Sequence, residues 1–425
     1  MITRTFVIKG DICFSKSVKE LCTYENHYLI CEDGKCKGIH ASIPEQYKEV
    51  PIHDYTGQLV LPGLIDLHVH ASQYAFRGIG MDLGLLDWLE QRTFPEESKF
   101  KNMEYAKEAY SIFAQDLLHS ATTRAVIFAT IHTDATMVLM DCMEKTGLKT
   151  YVGKVNMDRN SPRDLMESSV EDSAKETIRW LQACKNLYTN TKPILTPRFI
   201  PSCTDELMQE LKQIQLQYDL PLQSHLSEAR DEIEWVSKLC PESKFYGDAY
   251  DRFGLFGGEV PTIMAHCVSS TEDEIKRIKE RGVYIAHCPQ SNTNLSSGIA
   301  PIRHYMKQGL NLGLGSDVAA GTTESIFQAM ADAISVSKLR WRYVDQTLEP
   351  LHNEEVFYLG TKGGGAFFGA VGSFEENYEF DAIVMDDRML RTPQPLSLKE
   401  RLERIIYLSQ QCKVAHKYVS GNQLF

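Results

Sequence analysis

Short apolar runs alternate with amphipathic stretches along most of this chain. Eight of the runs read as strands: Leu64 to His68, Thr122 to Phe128, Tyr151 to Val155, Ile194 to Arg198, Leu222 to His225, Thr262 to His266, Val283 to His287 and Asn311 to Gly315. The first is a buried run punctuated at its start by Pro62 and Gly63. Helical periodicity lies between several of them, as in Asp205 to Leu216 and Glu272 to Arg281. Eight strands alternating with helices predict a closed parallel (β/α)8 barrel. A doubly wound open sheet is the competing arrangement. No Gly-x-Gly-x-x-Gly follows the first strand, which counts against it.

The two chain ends carry a different pattern. Thr5 to Ile8, His27 to Cys31 and Gly38 to His40 are short strand-like pieces with too little apolar surface for a core of their own. Cys31 and Cys36 flank a hairpin turn through Asp33-Gly34. Phe380 to Asp386 and Lys413 to Asn422 are again strand-like, so the C-terminal end supplies the missing partner. The division expected is residues 1–60 with 372–425 as a small β domain, and 61–371 as the barrel.

Composition narrows the classes. Of 425 residues, 43% are hydrophobic and 24% charged, as in an ordinary globular protein. No stretch reaches the ~18–20 unbroken apolar residues of a membrane span. The N-terminus, Met1 to Thr5, lacks the apolar region of a secretory signal. The 11 cysteines are scattered without a paired spacing, which fits reduced thiols and a cytoplasmic location. A formal charge of −12 argues against nucleic acid as a partner, because phosphate contacts need clustered Lys and Arg. It does not exclude a free base as substrate.

The candidate chemistry sits at strand ends. His68 and His70 lie two residues apart, so on a strand both imidazoles share a face. That is an economical start to a metal site. His225 ends the fifth strand, His266 ends the sixth, and Asp317 follows the eighth. Barrel enzymes keep their chemistry at this end.

The run Leu61-Pro62-Gly63-Leu64-Ile65-Asp66-Leu67-His68-Val69-His70 resembles the first-strand motif of the amidohydrolase superfamily. Polar residues ending strands one, five, six and eight follow the strand order of that superfamily. Further runs resemble its guanine deaminase family. They include His-Val-His-Ala-Ser-Gln-Tyr from His68, Thr93-Phe94-Pro95, Thr196-Pro197-Arg198-Phe199, Ser224-His225-Leu226-Ser227-Glu228 and Ala286-His287-Cys288-Pro289. The similarity spans about residues 58–385.

The resemblance implies a small β-sandwich closed from both chain ends beside the barrel. It implies metal ligands His68, His70, His225 and Asp317, with His266 holding the attacking water. Three imidazoles and a carboxylate suit Zn²⁺, with Fe²⁺ next. One ion per chain is expected. Relatives with two ions bridge them by a carboxylated lysine ending strand four, where this chain has Arg198, a side chain that stays protonated. Lys154 is nearby but on the third strand.

Glu228 matches the proton shuttle, with Asp317 and His266 the other catalytic groups. Gln73, Arg198 and Phe199 match the contacts to the purine base, and His70, His225, Glu228 and Asp317 are expected to touch it too. The implied reaction is guanine plus water giving xanthine and ammonia, and the implied assembly is a homodimer. Spacing alone supports a metal hydrolase. Two rivals remain open at this point: deamination of another amino-heterocycle such as cytosine, a triazine or an adenosine derivative, and a barrel scaffold without chemistry.

Overall fold

The computed structural model describes residues 5–425; Met1 to Arg4, part of the stretch read for a signal, lie outside the described residues. Eight parallel strands alternate with helices. They are Leu64–His70, Thr122–Phe128, Lys149–Gly153, Thr191–Pro193, Leu222–Leu226, Thr262–His266, Tyr284–His287 and Asn311–Leu314. They form two parallel four-stranded arcs, strands one to four and strands five to eight. A parallel bridge between Leu195 and Leu222 joins the arcs at one seam. At the other, the Asp317 amide donates to the His68 carbonyl at 2.8 Å and the His70 amide to Val318 at 3.1 Å. The eight strands therefore run round a (β/α)8 barrel.

Every residue of strands one and two is buried, as befits parallel strands covered on both faces. Ile65, Leu67, Val126, Ile194, Ile263 and Ala286 cluster together, with Phe367 and Val371 packed onto them. The fourth strand is less regular than its apolar run suggests. It breaks into Thr191–Pro193 and a two-residue piece, Thr196–Pro197, which pairs with Val155–Asn156. Pro193 and Pro197 have no amide to give a ladder, so the strand cannot run through both. The pairing of strands one and two shifts register between Asp66 and Val69, a bulge at the end that carries the histidines.

Helix bounds follow their sequence signals. Glu272–Arg281 opens on Thr271, whose hydroxyl accepts from the Glu274 amide, and stops at Gly282 with φ 65°. The segment after the first strand that holds Trp88 and Phe94 is helical over Leu85–Trp88 and Phe94–Glu97.

Both chain ends build one seven-stranded sheet, with Asn422–Gln423, Lys413–Val419, Ala382–Asp386, Ile52–Pro62, Phe6–Ser17, Glu20–Glu32 and Lys35–His40 in spatial order. The long strand Ile52–Pro62 was not anticipated; it leads straight into the first barrel strand. The hairpin forms at Asp33-Gly34 as expected, both residues having positive φ. The sheet curls until its edge strand Lys35–His40 meets the segment that leads into Ala382–Asp386: the Cys36 amide donates to the Tyr378 carbonyl and the Phe380 amide to the Gly34 carbonyl, at 2.9 and 2.8 Å. Phe6, Phe14, Phe374, Phe380 and Tyr418 fill the space between, giving the sandwich core. Its other face packs on the barrel through Leu59, Leu61, Ile383 and Met385.

Candidate active site

His68 and His70 leave the end of strand one with their Nε2 atoms 3.2 Å apart. His225, on strand five, brings its Nε2 within 3.3 Å of His70 Nε2. Asp317 follows strand eight in a left-handed turn (φ 47°), and its Oδ1 lies 3.2 Å from His68 Nε2 and 3.5 Å from His70 Nε2. With each Nε2 unprotonated, as in metal ligation, these atoms would repel with nothing between them. Ligand atoms held at about 2.0–2.2 Å from one zinc-sized ion would lie roughly 3–3.5 Å apart. The donor set therefore fits a zinc-sized ion.

The ring orientations fit as well. His225 donates from Nδ1 to the Arg198 carbonyl at 2.7 Å, which leaves its Nε2 lone pair for a metal. Burial lowers the pKa of His68, His70 and His225 well below the ordinary histidine range, so the imidazoles are neutral, the form that ligates. Burial also raises Asp317, a penalty that a bound cation reverses. Phe128, at the end of strand two, packs against the three imidazoles with ring centroids 4.5–5.0 Å away.

Asp66 ties the two ligand-bearing strands together. Its Oδ1 accepts from the amides of His68 and Ser316, each at 3.1 Å, and its Oδ2 from the Ser316 hydroxyl at 2.5 Å. Burial pushes its carboxyl up to about 7 against those hydrogen bonds.

His266 stands beside this cluster, its Nε2 3.8 Å from Asp317 Oδ2 and 3.4 Å from Glu228 Oε2. Its Nδ1 donates to Asn292 Oδ1 at 2.9 Å, so its Nε2 faces the cleft as an acceptor. Glu228 lies just outside the helix Arg230–Leu239, past a left-handed Ser227, and does not take a first-turn position. Its side chain is buried, and Oε1 accepts a hydrogen bond from Ser297 at 3.4 Å. Burial, then the nearby Asp317 charge, raises its pKa well above the ordinary carboxylate range. A carboxyl that holds a proton this firmly suits general acid–base work.

A cleft with about 410 Å³ of empty space opens over these groups. Gln73, Arg198 and Phe199 line it together with His70, His225, Glu228, His266 and Asp317. All the expected residues thus meet in one place except His68, which is fully buried behind them. Leu85, Trp88 and Leu89 form an apolar wall. Arg198 is not a free cation: its Nη1 pairs with Glu97 Oε2 at 2.5 Å, both side chains being buried. Lys154 is held elsewhere, by Glu167 at 2.5 Å. Glu97, Asn292 and Phe128 were missed from the sequence. None has a spacing that marks it out, although Asn292 follows the His287-Cys288-Pro289 run.

Residues 59–424 match the amidohydrolase family, and the chain belongs to it. Among its relatives, the guanine deaminase of Mus musculus is 38% identical over 394 residues, covering 90% of this chain and 85% of that one. The guanine deaminase of Escherichia coli (strain K12) is 33% identical over 420 residues, covering 94% and 91%. A crystal structure of guanine deaminase from C. acetobutylicum, with bound guanine in the active site, superposes with a TM-score of 0.95. It is 46% identical and covers 99% of this chain and 100% of its own.

Proposed function

We propose that this protein hydrolyses guanine to xanthine and ammonia, with one zinc ion per chain held by His68, His70, His225 and Asp317. The observation that carries the reading is the meeting of His70, His225 and Asp317, with His68 buried 3.2 Å behind His70, and a buried Glu228 at one cleft. Similarity to a guanine-bound deaminase over 99% of the chain supports the choice of ring. Three imidazoles and a carboxylate favour Zn²⁺, with Fe²⁺ the other ion such a set accepts.

Held by His68, His70, His225 and Asp317, a zinc ion would lower the pKa of water enough for attack at neutral pH. The protein does the rest. Asp317 takes a proton from the attacking water, and the His266 Nε2 lone pair holds that water in line. Phe199 offers a ring face to the flat base, and the Gln73 amide and Arg198 guanidinium read its edge. As oxygen bonds to C2, Glu228 protonates the adjacent ring nitrogen. The proton that Asp317 took from water passes to the amino group, the C2–N bond breaks with its electron pair leaving on ammonia, and the C2 hydroxyl proton returns to Glu228 as the new carbonyl forms. Guanine and water are fully accounted for by xanthine and ammonia.

Among the described residues no helix is long and apolar enough to cross a membrane. The proposal extends to a homodimer working in the cytoplasm; the cysteine pattern supports that location. Guanine consumption, followed by ultraviolet absorbance with and without a chelator, tests the whole. The expected outcome is turnover with ammonia release, lost on chelation and restored by zinc. A metal-loaded protein that leaves guanine intact sinks the reading. Faster turnover of cytosine, a triazine or an adenosine derivative moves it to another ring.

A further inference from the structure

We infer that Glu97 is the positioning residue that fixes the donor and acceptor pattern of the base the cleft accepts. This rests on the guanine reading above, in which Gln73 and Arg198 touch the base. Glu97 sits at the end of the helical turn Phe94–Glu97, with 3% of its surface exposed. Each of its oxygens holds a different cleft residue. Oε1 accepts from Gln73 Nε2 at 2.9 Å, and Oε2 accepts from Arg198 Nη1 at 2.5 Å. The same turn places the Phe94 ring 5.4 Å from the Arg198 guanidinium carbon. One short turn thus holds the guanidinium by an edge and a face.

A carboxylate can only accept hydrogen bonds. It therefore holds the Gln73 amide nitrogen on its own side. The Gln73 carbonyl oxygen is turned the other way, where it accepts from the Ala319 amide at 3.4 Å and keeps a second lone pair, on a side chain that lines the cleft. Arg198 spends one N–H on Glu97 and keeps the others for a ligand. The cleft thus offers an acceptor at Gln73 beside a donor at Arg198. That pattern suits an edge with a ring N–H next to an oxo group, which is what guanine presents at N1 and O6. An edge with a bare ring nitrogen and no oxo group meets neither need. Glu97 also balances the Arg198 charge within the buried wall, so the cleft is set for a neutral base.

The test is Glu97→Gln, which keeps the shape but replaces one acceptor by a donor and removes the charge. Guanine and 2-aminopurine are compared, because the second keeps the C2 amino group but lacks the oxo group and the N1 proton. Expected is a fall in kcat/KM for guanine of about 10–100-fold, mostly in KM, with a smaller fall for 2-aminopurine. In an Arg198→Met background, adding Glu97→Gln should cost less than about threefold more, since Glu97 acts partly through Arg198. Glu97→Asp keeps the charge but is too short to reach both partners, so it should lie between, and it serves if the amide variant does not fold. Equal losses for both substrates would overturn the inference and leave a structural role. So would a guanine KM within about twofold of the parent. A parent protein with no guanine turnover would overturn the functional reading and this inference together.

Discussion

Two side chains in the cleft carry sharp expectations. Glu228 is buried, points at His266 and holds its proton firmly. Glu228→Gln keeps the size and one hydrogen-bond acceptor but cannot carry a proton. It should keep its metal and lose about 10²–10⁴-fold in kcat, the usual span for general acid–base catalysis. Near-normal turnover would leave Glu228 as a lining residue. Arg198 is the second. A charge-assisted hydrogen bond to the oxo group would contribute about 1.5–3 kcal/mol. Arg198→Ala should therefore lower kcat/KM for guanine by about 10–100-fold and lower it less for rings without an oxo group. The pairing with Glu97 adds an expectation that the sequence did not suggest. The alanine variant buries an uncompensated carboxylate, so its denaturation midpoint should fall as well. Metal content, read by elemental analysis, should not change in either variant.

At the scale of elements, the sequence was read well where local signals and burial agree. Parallel strands covered on both faces carry unbroken apolar runs, here Ala125 to Phe128 and Ile263 to Ala265, so Thr122–Phe128 and Thr262–His266 stand out. The cluster of His68, His70, His225 and Asp317 was legible because strand order and strand ends carry it, and these survive in a linear text. What escaped depends on contacts distant in sequence. Glu97 matters through Arg198, 101 residues away, and nothing near Glu97 announces that pairing. The broken fourth strand escaped because apolar runs outvoted two prolines. The junction at Gly63 is a case where sequence and space can be tested together. A Cβ there would lie 2.1 Å from Thr123 Oγ1 and 2.2 Å from Thr123 Cγ2. Gly63→Ala should force the start of strand one away from strand two and cost at least about 1–3 kcal/mol. Thr123→Ala in the same chain removes both nearest atoms and should recover part of that loss, read by urea denaturation. An unshifted midpoint in the single variant would mean that the junction relaxes freely.

At the scale of the whole molecule, two buried basic side chains stitch the barrel to the curled sheet in opposite directions. Lys417, from the strand Lys413–Val419, reaches into the barrel and donates to the carbonyls of Leu118 and Thr122 at 2.5 and 2.9 Å. Arg124, from barrel strand two, reaches the other way. Its Nε donates to Asp381 Oδ2 and its Nη2 to Glu379 Oε2, both at 2.6 Å. Asp381 is fully buried, and among the described residues its direct ion pair is with Arg124. Arg124→Met keeps most of the buried stem and removes the charge. Breaking a buried pair from one side costs about 3–5 kcal/mol, and the urea midpoint should drop accordingly. Exchanging Asp381 for Leu in the same chain removes the orphan charge and should recover part of that cost, because apolar replacements of buried pairs are tolerated. The KM for guanine in the folded variant should stay at the parent value. Arg124 lies near the start of strand two, and the metal cluster lies at the opposite, C-terminal end of the strands, where barrel enzymes carry chemistry. A change in KM with an unshifted midpoint would reverse that assignment. The seam between sheet and barrel would then be setting the shape of the cleft, and the two chain ends would belong to the active site as much as to the frame.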